Sequence, residues 1–341
     1  MTSLDSSPPN VRSRDYAVLS QTIRQAGLLR RRYRYYTVKI ALNVLVFAGG
    51  WVLFVQLGDS WWQLFVAAFF AVMFAQLAFI GHDAGHKQIL RGRRTNDLLG
   101  YWHGGMVGLS YGWWMDQHTS HHANPNHEQD DPDIRIPALA FTESQGGAKR
   151  GFLRWLAKYQ AFLFFPLLLL EGFSLHVSSV QTLRRPVLRA RKVEIALLAG
   201  HFAAYLTAVF LVLSPLTAVV FILVHQCLWG VYMGCSFAPG HKGMPILARG
   251  HGLDFLRRQV LTSRNVRGGI WVDFVLGGLN YQIEHHLFPT MPRPNLRRAQ
   301  PIVRNFCAQQ GIEYAECGWP RTYGYVLQHL HAVGVPLRAG R

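Results

Sequence analysis

Apolar and polar positions along this chain are segregated on a scale much longer than a helix turn. Two stretches, Ile40 to His86 (47 residues) and Val193 to His241 (49 residues), are rich in Leu, Val, Phe and Ala and contain no lysine or arginine. A bilayer core is crossed by roughly 20 apolar residues, whereas one helix of 47 residues would be about 70 Å long. Each stretch therefore predicts two passes joined by a tight reversal, for which Gly58-Asp59-Ser60 and Ser214-Pro215 supply the turn residues. The expected spans are about 38–57, 61–81, 194–213 and 216–236. They sit in a central domain, 38–310, flanked by polar segments 1–37 and 311–341. A third apolar stretch, Ala161 to Leu170, is interrupted by Pro166 and closed by Glu171. It is too short to cross and predicts a helix lying in the interface. The fold class is an all-α integral membrane protein of two helical hairpins.

Two passes per stretch put residues 1–39, 87–192 and 242–341 on one side of the membrane. Those segments hold all 35 Lys and Arg, so the positive-inside rule makes them, and both termini, cytoplasmic. The net charge of +17 would suit nucleic acid, an anionic membrane surface or acidic partners. Against two long stretches free of basic residues, a basic face beside lipid headgroups is the plainer account, and no nucleic-acid partner is expected. The start of the chain is polar from Thr2 to Arg14 and has no apolar region ahead of Arg34, so no cleaved signal peptide is expected. With 50% hydrophobic and 16% charged residues, the composition disfavours disorder. Cys227, Cys235, Cys307 and Cys317 form no CxxC pair and are read as reduced thiols.

Histidine carries the candidate chemistry. Of 16 histidines, seven fall in three five-residue stretches: His82 and His86 in a H-x3-H, His118, His121 and His122 in a H-x2-H-H, and His285 and His286 preceded by Gln282 in a Q-x2-H-H. Spacings of three and four residues bring side chains to one face of a helix, and all three clusters lie on the same side of the membrane. Imidazole donors suit iron, zinc or copper, and so many clustered rings without a metal would leave many polar atoms to satisfy. The lone histidines His103, His127, His176, His251, His329 and His331 are read as hydrogen-bonded structural residues. His201 and His225, inside an apolar stretch, suit either a direct role or a helix-to-helix hydrogen bond.

These boxes together resemble those of the membrane fatty-acyl desaturases, and the glutamine of the third box resembles the front-end subgroup. Longer phrases agree: Trp113-Trp114 before the second box, Asn124-Pro125-Asn126 and Asp131-Pro132-Asp133 after it, and Asn280-Tyr281-Gln282-Ile283-Glu284-His285-His286-Leu287-Phe288-Pro289 around the third. The resemblance covers roughly 38–310. It implies four transmembrane helices under a cytosolic helical cap that holds a di-iron site, with dioxygen as co-substrate. It implies as metal ligands His82, His86, His118, His121, His122, His285 and His286, with His241 as an eighth after the last span. Gln282, Asp83 and Asn280 are possible further ligands or outer partners.

The implied reaction takes two hydrogens from adjacent carbons of a fatty acyl chain, on coenzyme A or a lipid, using two electrons from a donor. No His-Pro-Gly-Gly motif of a fused haem carrier occurs in these residues, so electrons are expected from a separate ferredoxin, rubredoxin or cytochrome with its reductase. Twenty-nine Arg against six Lys suggest a bacterial cell membrane. Asp83, Asp116, Asp131, Asp133 and Glu284 are the carboxylates near the boxes and could orient ligand N–H groups. Tyr101, Trp102, Trp113, Trp114 and Phe274 are candidate walls of an acyl tunnel. Arg257, Arg258, Arg264 and Arg267 could meet a phosphate-bearing headgroup or an acidic redox carrier. The alternatives are a hydroxylase or acetylenase on the same scaffold, and a metal transporter. A transporter would place its ionisable residues at the bilayer midplane, where only His201 and His225 lie.

Overall fold

The structure, a computed structural model, describes residues 9–185 and 188–339. Residues 1–8 and 340–341, parts of the two expected polar end segments, lie outside them. In chain order the helices are α1 (Pro9–Gln25), α2 (Tyr33–Leu57), α3 (Gln63–Gly85), α4 (Arg93–Met106), α5 (Tyr111–Ala123), α6 (Glu143–Ala148), α7 (Gly151–Leu168), α8 (Glu171–Thr182), α9 (Arg191–Val212), α10 (Pro215–His241), α11 (Phe255–Leu261), α12 (Ile270–Val275), α13 (Gln282–Leu287), α14 (Arg293–Gln309) and α15 (Trp319–Arg338). Two three-residue strands, β1 (Asn265–Arg267) and β2 (Glu316–Gly318), pair in parallel with Val266 opposite Cys317. The chain divides into two compact units. A spanning unit comprises Arg32–Ser120 and Lys158–Ala238, and a loop-rich unit comprises the described residues of 1–31, 121–157 and 239–341.

Four helices, α2, α3, α9 and α10, are long and apolar enough to cross a membrane, with mean hydropathies of 2.1, 2.3, 2.1 and 1.8. Only 11% of the apolar window of α2 and 17% of that of α9 are buried, against 67% for α3. A helix whose leucines and valines face outward is stable only where the surroundings are themselves apolar, so α2 and α9 present the lipid-facing surfaces and α3 sits inside. Both expected reversals form. Gly58 takes the left-handed conformation (φ 60°) that ends α2. The buried Gln63 side chain donates to the carbonyls of Phe54 and Gly58, 2.7 and 2.8 Å away, and closes the turn. At the second turn Ser214 Oγ donates to Asp59 Oδ1, 3.2 Å, which ties the two hairpin tips together. Phe54, Phe70, Tyr205, Val209 and Phe221 fill the space between the hairpins.

The apolar stretch from 161 to 170 differs from expectation. It is not a separate helix but the second half of α7, which bends by 83° into α8. The two together are apolar enough to form a broken span or a re-entrant loop. The corner is pressed against α10: a Cβ on Gly230 would stand 2.5 Å from the Leu168 carbonyl oxygen and 2.6 Å from the Gly172 nitrogen. Small residues at such crossings let helix backbones approach within a membrane.

In the loop-rich unit, Leu19, Ile23 and Leu28 pack with Leu256 and Val260 of α11, Ile283 and Leu287 of α13, and Leu296, Val303 and Cys307 of α14. Ile283 and Leu287, at i and i+4, anchor α13 by one face. The buried Asn265 Oδ1 accepts the Ile283 amide, 2.9 Å, and its Nδ2 donates to Glu284, 2.7 Å. None of the four cysteines is in a disulfide.

Candidate metal centre

The histidines form a group in each unit. In the spanning unit, His82 lies in the last turn of α3 and His86 caps that helix, so the i, i+4 spacing stacks their rings 4.7 Å apart. His118, on α5, brings its Nε2 to 2.7 Å from His86 Nε2, with its ring 4.9 Å from that of His82. Trp114, one turn earlier on α5, stacks on His118 (4.5 Å, 22°). That seat requires the glycine at 85, because a Cβ there would stand 2.3 Å from the Trp114 ring.

In the loop-rich unit, His121 and His122 from α5, His241 at the end of α10, and His285 and His286 from α13 come together. His241 Nε2 lies 3.2 Å from His121 Nε2, 2.9 Å from His286 Nε2 and 2.8 Å from the Gln282 amide nitrogen. His122 stacks on His286 at 4.1 Å and meets His285 edge-on at 4.7 Å. The other nitrogen of each convergent ring faces an acceptor. His121 Nδ1 is 3.0 Å from both Asp131 oxygens. His241 Nδ1 faces the Thr262 carbonyl and His286 Nδ1 faces Gln259 Oε1, both at 2.9 Å.

An Nδ1–H donated outward leaves Nε2 as a bare lone pair. Three such lone pairs aimed at one point repel unless a cation lies between them. Nitrogen ligands about 2.1 Å from a metal and at right angles stand roughly 3.0 Å apart, and the observed separations bracket that value. The donor set fits a transition metal held by imidazole, with the outer nitrogens fixed as metal-binding histidines require. Gln282, whose amide can present either atom, is placed to act as a further donor.

Asp131 is fully buried and also accepts the amides of Asn126 (2.7 Å) and Asp133 (2.9 Å). Burial opposes charge on both His121 and Asp131, but their attraction prevails. Asp133 and Asp131 raise the His121 pKa above its ordinary value, and His121 holds the Asp131 carboxyl below its own. Asp133 is half-exposed and 3.5 Å from His121. Asp83 stands 3.5 Å from His82 Nδ1, beyond an ordinary N–H···O distance.

Other expected residues are used differently. Asn280 turns its amide to Asp273 (2.8 Å) rather than to a histidine. Asp116 is exposed and faces Arg185. Glu284 is buried and accepts from Asn265 and the Tyr314 hydroxyl (2.7 Å each), while burial pushes its carboxyl up to about 7. Arg257 is buried between Asp15 (3.0 Å) and Asp254 (2.7 Å). Arg264 is buried and donates to the carbonyls of Pro239 and Lys242. Neither can meet a headgroup or a redox carrier. Arg258 is half-buried, and Arg267 is exposed at the end of β1.

The lone His103, His176 and His329 bond backbone carbonyls, as structural histidines do, and His225 bonds the Tyr205 hydroxyl at 2.8 Å. Gln259 and the Thr262 carbonyl were missed by sequence reasoning. Nothing in the pattern of α11 marks Gln259, which is completely buried and also donates to the His122 carbonyl at 2.9 Å.

Beside His82 the spanning unit has a small apolar cavity of about 60 Å³, partly open to the surroundings. Phe79, Ser110, Tyr111, Trp113, Trp114 and Met233 are among its walls. Of the expected wall residues, Trp113 and Trp114 line it. Tyr101 packs behind, edge-on to Tyr111, whereas Trp102 and Phe274 are exposed elsewhere.

Comparison with known proteins points to one family. The family model described as "Fatty acid desaturase" matches residues 59–318. The chain is 30% identical to the acyl-lipid (9-3)-desaturase of Physcomitrium patens, over 89% of this chain and 59% of that protein. It is 28% identical to the Delta(6)-fatty-acid desaturase fat-3 of Caenorhabditis elegans (94% and 75%) and 30% identical to fatty acid desaturase 3 of Bos taurus (88% and 68%). It spans about three fifths of the length of the Physcomitrium relative and of the Delta 8-(E)-sphingolipid desaturase of Lachancea kluyveri. With four apolar spanning helices, two convergent histidine groups and a family match over most of its length, the chain belongs to the fatty acid desaturase family.

Proposed function

We propose that this protein introduces a carbon–carbon double bond into a fatty acyl chain, at two irons held by His82, His86, His118, His121, His122, His241, His285 and His286. The observation that carries the reading is the convergence of His121, His241 and His286 through Nε2, each with Nδ1 tied to an acceptor. Iron with dioxygen supplies the oxidant needed to take hydrogen from an unactivated methylene, which no side chain provides. Overall, one dioxygen, two electrons, two protons and the saturated chain give the alkene and two waters.

The chain's own residues bind, orient and shield. Asp131, Gln259 and the Thr262 carbonyl fix ring tautomers, so that Nε2 stays free of a proton. Gln282 adds a donor or a hydrogen bond beside His241. The cavity walls hold the acyl chain with one carbon pair at His82 and keep water from it. The positive-inside rule applied to the basic segments supports a cytoplasmic side for the histidine boxes, and the arginine-rich composition is the support for a bacterial cell membrane. There a separate ferredoxin, rubredoxin or cytochrome delivers electrons.

Expression in a host that makes no polyunsaturated lipid, followed by fatty-acid profiling with double-bond localisation, tests the reading. A product lacking two hydrogens supports it. A product that gains one oxygen shows hydroxylation instead, and no acyl product at all refutes it.

A further inference from the structure

Glu194 is the only acidic residue of the second apolar stretch. It stands in the first turn of α9, and its side chain is 2% exposed. A carboxylate placed there among apolar residues has to be satisfied by specific partners, and both partners belong to one short segment. Its Oε1 accepts the Gly112 amide at 2.9 Å, and its Oε2 accepts the Ser110 hydroxyl. Ser110 Oγ accepts the Trp113 amide at 3.0 Å in turn.

The first amides of a helix have no partner within it, and a negative group is favoured there. The start of α5 is therefore capped jointly by its own serine and by a carboxylate from a spanning helix. The residue at 112 must be glycine for this approach, since a Cβ would stand 2.5 Å from Glu194 Oε1.

The capped segment is also functional in position. Ser110, Tyr111, Trp113 and Trp114 line the apolar cavity with His82, and Trp114 stacks on His118. A shift of the start of α5 would thus move the cavity wall and a candidate ligand together.

We infer that Glu194 is a positioning residue: by seating Ser110 and Gly112 it fixes the α5 wall of the cavity against His82, and so selects the carbon pair presented for reaction. The inference rests on the desaturase reading above. Glu194 touches neither substrate nor metal in this role.

The test compares wild type with Glu194→Gln and Glu194→Leu, each purified, matched for iron content and supplied with one saturated acyl substrate, dioxygen and reduced ferredoxin regenerated by its reductase as the source of two electrons per turnover. Double-bond position and dioxygen consumed per double bond are measured. Glu194→Gln keeps an acceptor for Gly112 and should retain the wild-type isomer and coupling. Glu194→Leu leaves two donors unmet and should give a second positional isomer, with several-fold more dioxygen consumed per double bond. An unchanged isomer ratio and unchanged coupling in the leucine variant overturns the inference, as does a glutamine variant as scrambled as leucine. Should the leucine variant fail to fold or to hold iron, Ser110→Ala carries the same readouts and the same two outcomes. Wild type that forms no double bond sinks the desaturase reading itself, whereas an active wild type beside an unaltered leucine variant sinks only the role of Glu194.

Discussion

Replacing Asp131 by Asn tests how a buried carboxylate holds a metal site. The two side chains have the same shape, so packing is preserved and only one acceptor becomes a donor. Each Asp131 oxygen already accepts one backbone amide, Oδ2 from Asn126 at 2.7 Å and Oδ1 from Asp133 at 2.9 Å, while both face His121 Nδ1 at 3.0 Å. Whichever way the new amide turns, its NH2 confronts one of those N–H groups, and a buried donor left unmet costs about 1–3 kcal/mol. The same NH2 facing His121 Nδ1 favours the tautomer with its proton on Nε2, where the metal should bind. Loss of such an outer partner typically costs 10–100-fold in metal affinity, or about 1.4–2.7 kcal/mol. The two estimates overlap, so an affinity loss within that range is expected at the group containing His121, His241 and His286. Titration with a competing iron chelator, with iron per protein counted by elemental analysis, measures it. The group containing His82, His86 and His118 should keep its iron, which leaves about half the wild-type content at intermediate chelator. Asp133→Asn, altering a half-exposed carboxylate at 3.5 Å, should change affinity little. Wild-type affinity in Asp131→Asn, or equal losses in both variants, would refute the reasoning.

His122→Ala and His286→Ala should each abolish the acyl product, as seen by fatty-acid profiling of the expression host; full activity in either removes that residue from the ligand set. Gln259→Leu deletes the acceptor of His286 Nδ1 and should lower iron occupancy at the His286 group while the protein elutes as wild type on size exclusion. Gly85→Ala forces a Cβ to 2.3 Å from the Trp114 ring. Overpacking of this kind costs about 1–3 kcal/mol, so its thermal transition should fall below that of Gly49→Ala, where the added Cβ meets nothing within 4 Å.

The four spanning helices and the three histidine boxes could be read from the order of residues alone, because both are one-dimensional signals. Membrane insertion depends on an unbroken apolar length without basic residues, and a metal box on a helix depends on spacings of three and four. The bend at Leu168 to Glu171 could not be read that way: Pro166 marked an interruption, but the 83° turn follows from Gly172 and Gly230 meeting across α8 and α10. The same holds for the residues that fix each imidazole. Asp131 lay near a box and could be named, yet Asp116 and Glu284 lay equally near and serve other partners. Gln259 reaches His286 only through the packing of α11 against α13, across 27 residues of chain, and the Thr262 carbonyl, just past α11, reaches His241 at the end of α10 across 21. The sequence by itself determined which side chains could bind metal and which helices must lie in lipid, since those depend on composition and local period. The tertiary structure alone decided which acceptor faces the outer nitrogen of His121, His241 and His286 and which arginines are locked away, because hydrogen-bond partners and burial are properties of long-range packing that no local pattern encodes.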